Sequence, residues 1–300
     1  MNWKGRVFGA AVLVVFASSS HANLLLTALG RPKVVMVRQS NVVIWNPTTK
    51  VEHLVRSSTF FSKEKQFDII TPTPTIPTVT PVNYHSFMSL YSLMYPPKKK
   101  PVVLDDSETV LPTEPSVQVS QVARVGNLVA TTIKASDVLA LSSWLEKNGY
   151  KPSQTQNKWL EKYVQKRWYL TAFRVVTDEE IFDTEAVRLT FKTEVPVSPY
   201  CAPGTSWLQN VSQEVYVVSP KNLDAYVGGT TPWKGKADRH AYMTETASKA
   251  LAAELHIPAS DIPKQSWVNR YLESSPASST VDDIYFYPSV PKIAKPKKQK

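Results

Sequence analysis

Residues 136–176 constrain the fold more than any other stretch, because they predict a helix, a turn, a second helix and a strand in succession. Ser136 can cap a helix whose apolar residues recur at helical spacing. Gly149 provides the left-handed residue that commonly ends a helix, and Pro152 prevents that helix from continuing. Helices this short are unstable in isolation, so each has to bury its apolar side on a larger structure.

The second helix has the clearest start signal. Ser153 followed by Gln156 is the pattern of a capping box. Its predicted apolar side groups four residues: Trp159, Leu160, Tyr163 and Val164. Residues 168–176 then alternate and are rich in aromatic and β-branched side chains, which predicts a strand.

The flanking sequence predicts more strands than helices. The apolar runs 33–38 and 41–45 predict a hairpin or two adjacent strands. Residues 71–81 contain four prolines, which favours an edge strand or an extended strap. A C-terminal helix is predicted over 242–255 from its alanine-rich periodicity. We therefore expect an α+β fold, with a mostly antiparallel sheet packed by the central helix pair and the C-terminal helix.

The N-terminus has the features of a secretory signal peptide over residues 1–22. Lys4 and Arg6 precede an apolar run, and residues 20–22 form a small-x-small cleavage site. The apolar run is shorter than the roughly 20 residues of a spanning helix. We expect an exported protein, periplasmic or extracellular, whose mature chain begins near Asn23; an uncleaved anchor is the alternative.

The remaining chain predicts one globular region over 23–290, with a long loop or linker near 97–117 and a disordered tail at 291–300. The formal net charge is +10, but five lysines lie in Lys292–Lys300, so the globular part is only mildly basic. The tail is either a solvated end or a contact for anionic envelope components. Nucleic acid is not expected as a partner, because no aromatic residues are interleaved with these lysines.

Cys201 is the one cysteine of the sequence, so an intrachain disulfide is impossible. The preferred interpretation is a small buried hydrophobic residue. An intermolecular disulfide and a reactive nucleophile remain as alternatives.

The sequence has no recognisable motif for catalysis, cofactor binding or metal binding. The histidines that follow the signal lack the i, i+4 spacing of a helical zinc pair and are expected to be packed or exposed: His53, His85, His240 and His256. The acidic clusters at 105–106, 178–180 and 282–283 lie in polar passages, which predicts solvated loops. We predict no cofactor and no metal site.

Aromatic residues supply the one candidate binding surface. Three of the tryptophans, Trp207, Trp233 and Trp267, lie in the C-terminal third among proline, glycine and serine, where exposure is expected. The tryptophans of the central block fall on apolar sides of helices and are expected in the core.

Three sequence blocks resemble the DUF2330 family of uncharacterised secreted bacterial proteins, over roughly residues 31–200. They are KVVMVRQSNVVIW with FDIITPTPTIPTVTPV, the central block containing WLEKNGY, and EAVRLTFKTEVPVSP. The family brings no known activity, cofactor or catalytic residue. Many members have cysteines near the mature N-terminus that this chain lacks, and the sequence after Pro203 does not align.

Two functions are consistent with these features. The first is a non-enzymatic, exported binding or envelope-associated module. The alternative is a hydrolase whose site is assembled from sequence-distant residues, using Cys201 or a carboxylate pair. A histidine within hydrogen-bond reach of Cys201 in a deep pocket would favour the hydrolase.

Overall fold

The computed structural model describes residues 24–27, 34–96, 122–125, 128–201, 211–274 and 282–289. In chain order the elements of this part are β1 Leu24–Leu26, β2 Val34–Asn46, β3 Val51–Ser62, β4 Gln66–Thr73, β5 Thr78–Val82, α1 His85–Met94, β6 Val122–Val125, β7 Leu128–Ile133, α2 Val138–Lys147, α3 Gln154–Gln165, β8 Tyr169–Val176, β9 Ile181–Asp183, β10 Ala186–Lys192, β11 Val197–Ser198, β12 Ser212–Ser219, β13 Leu223–Val227, β14 Thr231–Pro232, β15 Lys236–Met243, α4 Glu245–Glu254, β16 Ser266–Glu273 and β17 Ile284–Pro288. A short 3-10 turn, Ala259–Asp261, follows α4.

The strands form three sheets. A five-stranded sheet has the order β1-β4-β8-β7-β6, and a four-stranded sheet has the order β11-β17-β13-β14. The largest sheet has the order β15-β16-β12-β2-β3-β10-β5, with β9 paired to β3. Its β12–β2 pair is parallel, whereas its other pairs are antiparallel.

The core lies in layers set by the alternation of side chains along each strand. One cluster joins all three sheets, bringing Leu54 of the eight-stranded sheet together with Phe173 and Phe286. The opposite face of the eight-stranded sheet is covered by α1 and α4, for example by Phe87 and Leu251. Helices α2 and α3 instead cover the outer face of the five-stranded sheet.

The predicted α+β class is wrong, because the structure is 48% strand and 21% helical, with three sheets. Strands that the sequence did not predict account for the difference, and β3, β15 and β16 are the longest of them. The predicted hairpin at 33–45 is the single strand β2. Sequence patterning divided β2 and missed β3 because the buried faces of these strands carry polar side chains such as Asn41 and Arg56. A polar residue in a strand normally signals a solvent-exposed face.

The buried Arg56 shows how this polar interior is accommodated. Its guanidinium donates to Asn41 Oδ1 and Thr71 Oγ1, each at 3.2 Å. Burial lowers the pKa of Arg56 to about 9, which leaves the group charged at neutral pH. Hydrogen bonds to neutral groups thus replace the water that this cation loses on folding.

The central helix pair follows the prediction closely. The Ser153–Gln156 capping box forms with both hydrogen bonds, and Gly149 is left-handed at φ +86°. The first helix differs in its cap, because Asp137 accepts from the Ala140 N–H where Ser136 was expected to do so.

The proline-rich stretch and the C-terminal helix have mixed outcomes. β5, which contains Pro81, is an edge strand, as its prolines indicated. The C-terminal helix begins at Glu245 rather than at Tyr242, since Tyr242 belongs to β15. The predicted loop near 97–117 and the tail at 291–300 lie outside the described residues. No described helix is both long and apolar enough to cross a membrane.

Candidate functional site

Aromatic side chains gather at the outer edge of the eight-stranded sheet, on β15 and β16. Tyr242 pairs with Trp267 across these strands, and His240 pairs with Asn269. The Trp267 ring lies 5.7 Å from the Tyr242 ring and 5.9 Å from the His240 ring, between centroids. Tyr242 is 47% exposed, His240 is exposed, and Trp267 is partly buried. We call His240, Tyr242 and Trp267 the edge patch.

Asn269 adds a polar group to the same face. It lies two residues along β16 from Trp267, so the two side chains point to one side of the sheet. Asn269 is 4% exposed, and its Nδ2 has no hydrogen-bond partner within the described structure. A buried donor left unpaired costs about 1–3 kcal/mol. The edge patch thus lies beside a buried amide donor, Asn269 Nδ2, that has no acceptor in the described structure.

Of the three predicted binding tryptophans, the two that the structure describes, Trp233 and Trp267, do not share one exposed surface. Trp233 is buried between the rings of Tyr200 and Tyr271, and its Nε1 donates to Glu273 at 3.1 Å. Trp207 lies outside the described residues. Trp267 is the one that reaches the surface, and whether it binds anything stays a prediction.

A second constellation, the Asp283 cluster, consists of Tyr163, Lys166, Cys201, Asp282 and Asp283. Asp283 is fully buried, and its Oδ1 accepts from the Tyr163 hydroxyl at 2.7 Å and from the Cys201 N–H at 3.2 Å. Lys166 contacts Asp282 at 2.8 Å and Asp283 at 3.3 Å. Asp282–Asp283 is thus not a solvated acidic cluster, because donors from distant segments surround Asp283.

Opposite charges favour the ionised forms of Lys166 and Asp282. Burial alone would lower the pKa of Lys166, but Asp283 and Asp282 outweigh it and raise that pKa above its ordinary value. Burial likewise would raise the pKa of Asp282, yet the hydrogen bond from Lys166 holds it below the usual range. The ion pair between Lys166 and Asp282 is therefore present at neutral pH.

Cys201 is buried, as the sequence indicated, at 5% exposure. Its thiol accepts from Lys162 Nζ at 3.4 Å, and its carbonyl accepts from Trp159 Nε1 at 2.7 Å. Burial raises the pKa of the thiol, which suppresses the reactive thiolate. The side chain brought to the sulfur is thus a lysine, where the hydrolase alternative needs a histidine.

His53 forms a hydrogen-bonded chain that the sequence did not reveal. Its Nδ1 lies 2.9 Å from Thr190 Oγ1, and its Nε2 lies 3.1 Å from Asp261 Oδ2. Burial and the nearby Arg188 lower the pKa of His53 to about 4, so the ring is neutral at pH 7. His53 is 2% exposed and Thr190 lies within a strand paired on both sides. The hydrogen bonds from Thr190 through His53 to Asp261 therefore fix the Ala259–Asp261 turn to the sheet.

An open cavity of about 700 Å³ lies between α4, the end of β2 and the turn after α4. Its polar groups already have protein partners. Asn46 donates to the Ser260 carbonyl at 3.0 Å, and Lys249 pairs with Glu245 at 3.0 Å. No set of side chains suited to a metal ion occurs in the described ranges.

Residues 26–219 match a family described as "Uncharacterized protein conserved in bacteria (DUF2330)". The chain belongs to this family. The match runs from β1 to the end of β12, so the edge patch and Asp283 lie beyond it.

No curated protein matches the chain. The crystal structure of baculovirus P35 is similar, with a TM-score of 0.38 and 11% identity over 71% of this chain and 76% of that chain. A similarity this low supports no argument about fold or function.

Proposed function

We propose that this DUF2330 protein is exported and acts as a non-enzymatic, envelope-associated binding module whose binding surface is the edge patch. The observation that carries the proposal is the exposed Tyr242 packed against the partly buried Trp267. Aromatic side chains of this kind are enriched where proteins recognise partners, because they bury a large area with few rotatable bonds.

Export is supported by the signal-like residues 1–22, with Lys4 and Arg6 before an apolar run. In the bacterial envelope the chain would meet polysaccharide, lipid headgroups and other proteins. The lysine-rich Lys292–Lys300 segment favours association with the anionic part of that material.

The hydrolase alternative has weaker support. Cys201 contacts Lys162 of α3, and the neighbouring carboxylates Asp282 and Asp283, an adjacent carboxylate pair, contact Lys162 and Lys166. Burial also raises the pKa of the thiol. These contacts favour a structural role for the three residues.

Retention on a bacterial envelope fraction tests the proposal. We expect the double variant Tyr242→Ala/Trp267→Ala to be retained about tenfold less than the wild type, as for loss of an aromatic anchor. Tyr84→Ala is the matched control, since Tyr84 is 39% exposed on a different element. Equal retention of the double variant and the wild type would show that the edge patch is not the binding surface.

A further inference from the structure

We infer that the edge patch binds a glycan, with the rings of Tyr242 and Trp267 stacking on a sugar and Asn269 donating a hydrogen bond to it. The inference rests on the proposed binding function and adds the chemical class of the ligand. Sugars present C–H groups on the faces of the ring and oxygen acceptors around its rim. The edge patch offers the complementary pair, aromatic faces and an amide donor.

Area favours a sugar over a folded protein. A fully buried aromatic side chain contributes 150–250 Å², so Tyr242 at 47% exposure and the two neighbouring rings offer on the order of 200–300 Å². A stable protein interface needs about 800 Å² from each partner. The exposed rings therefore match one or two sugar units.

The edge strand itself discourages the addition of a partner strand. β15 has a register shift between Ala237 and Arg239, and Arg239 and Asp238 lie beside it. Bulges and charged side chains are the features with which edge strands resist pairing with another chain. The ligand is thus expected to lie on the face of the sheet and not along its edge.

The Nδ2 of Asn269 supplies the polar half of the site. Its side chain lies next to Trp267 along β16 and in register with the exposed His240. Since the donor has no acceptor among the described residues, a sugar hydroxyl or acetamido oxygen that reaches it removes the cost of the unpaired group. A purely apolar ligand offers no acceptor, so the Asn269 donor would stay unpaired when such a ligand is bound.

Chemical treatment of the envelope fraction tests the ligand class. Periodate cleaves the vicinal diols of sugars, whereas a protease removes protein and leaves glycans intact. We expect retention of the full chain to be lost after periodate and kept after protease treatment. Asn269→Ala should weaken retention on untreated material about three- to tenfold, the loss of one hydrogen bond.

The outcomes separate the two proposals. Retention that depends on Tyr242 and Trp267 but survives periodate overturns the glycan and leaves the binding surface standing. Retention that is equal for the Tyr242→Ala single variant, the double variant and the wild type overturns the surface itself. The single variant guards against misfolding, because Tyr242 is about half exposed.

Discussion

The Asp283 cluster and the edge patch differ in whether their buried polar groups have hydrogen-bond partners. In the cluster, the buried Asp283 is surrounded by donors from α3 and from the segment around Cys201. In the edge patch, the rings of Tyr242 and His240 are exposed, and the neighbouring Asn269 amide has a donor without an acceptor in the described structure. A completed buried network fixes one structure, whereas an incomplete one beside exposed rings can accept a ligand. The contrast favours a scaffold role for the first region and is consistent with the recognition role that we propose for the second.

The largest effect is expected from Asp283→Ala. It leaves Lys166 and the Tyr163 hydroxyl without their buried partner. We expect a loss of about 3–5 kcal/mol in the free energy of unfolding, measured by urea denaturation. Asp178→Ala is the control, because Asp178 pairs with Lys65 on the exposed surface and its loss should leave the free energy of unfolding nearly unchanged. A similar small loss at both positions would remove the distinction between scaffold and surface.

Acid is expected to destabilise the protein through His53. The folded-state pKa is about 4 and the unfolded value is 6.5, so the unfolded chain binds the proton first. The stabilisation is complete above pH 6.5 and is lost as the pH falls toward 4, by up to about 3 kcal/mol. Denaturation of His53→Gln and the wild type across this range isolates the contribution.

The pH dependence of the wild type alone does not isolate His53, because the buried Glu52 also changes stability with pH. Burial raises the pKa of Glu52 well above its ordinary value, so its contribution to stability falls as the pH rises. The two groups therefore act in opposite directions. Parallel stability profiles for His53→Gln and the wild type would contradict the role given to His53.

The smallest effect on stability is expected from deletion of residues 291–300. The free energy of unfolding should be unchanged, while retention on anionic envelope material at low salt should fall, because five lysines are removed. Unchanged retention at low salt would leave the edge patch as the sole proposed contact. Measuring retention of the wild type at increasing salt concentrations gives the electrostatic contribution to retention directly.

Local signals in the sequence predicted local structure well. The Ser153 capping box, Gly149 and the edge position of β5 all depend on residues close together in the chain, and each is confirmed. Of the tryptophans expected to be exposed, Trp267 is partly buried and Trp233 is buried, and their role in binding stays a prediction. Tyr242 was missed because alanine periodicity extended the predicted helix over it.

Distant contacts could not be predicted in the same way. Asp282 and Asp283 are two adjacent acids in a polar passage, and their donors lie far away in the sequence. The polar residues Glu52, His53 and Arg56 hide the strand pattern of β3. They are buried because β2 and β10 flank β3, and the sequence does not identify these neighbours. The signal that could have found them is the alternation of Leu54 and Phe60 on one face.

The parallel pairing of β12 with β2 has a consequence for how the protein is made. Val43 pairs with Val217, so the middle of the largest sheet cannot close until most of the chain has been synthesised. Until then one side of β2 has exposed backbone groups and apolar side chains such as Ile44. Contacts between residues so distant in sequence form slowly and leave chains open to aggregation. A chain with this topology gains from being held unfolded until its last strands are available, as happens when a protein crosses a membrane before it folds.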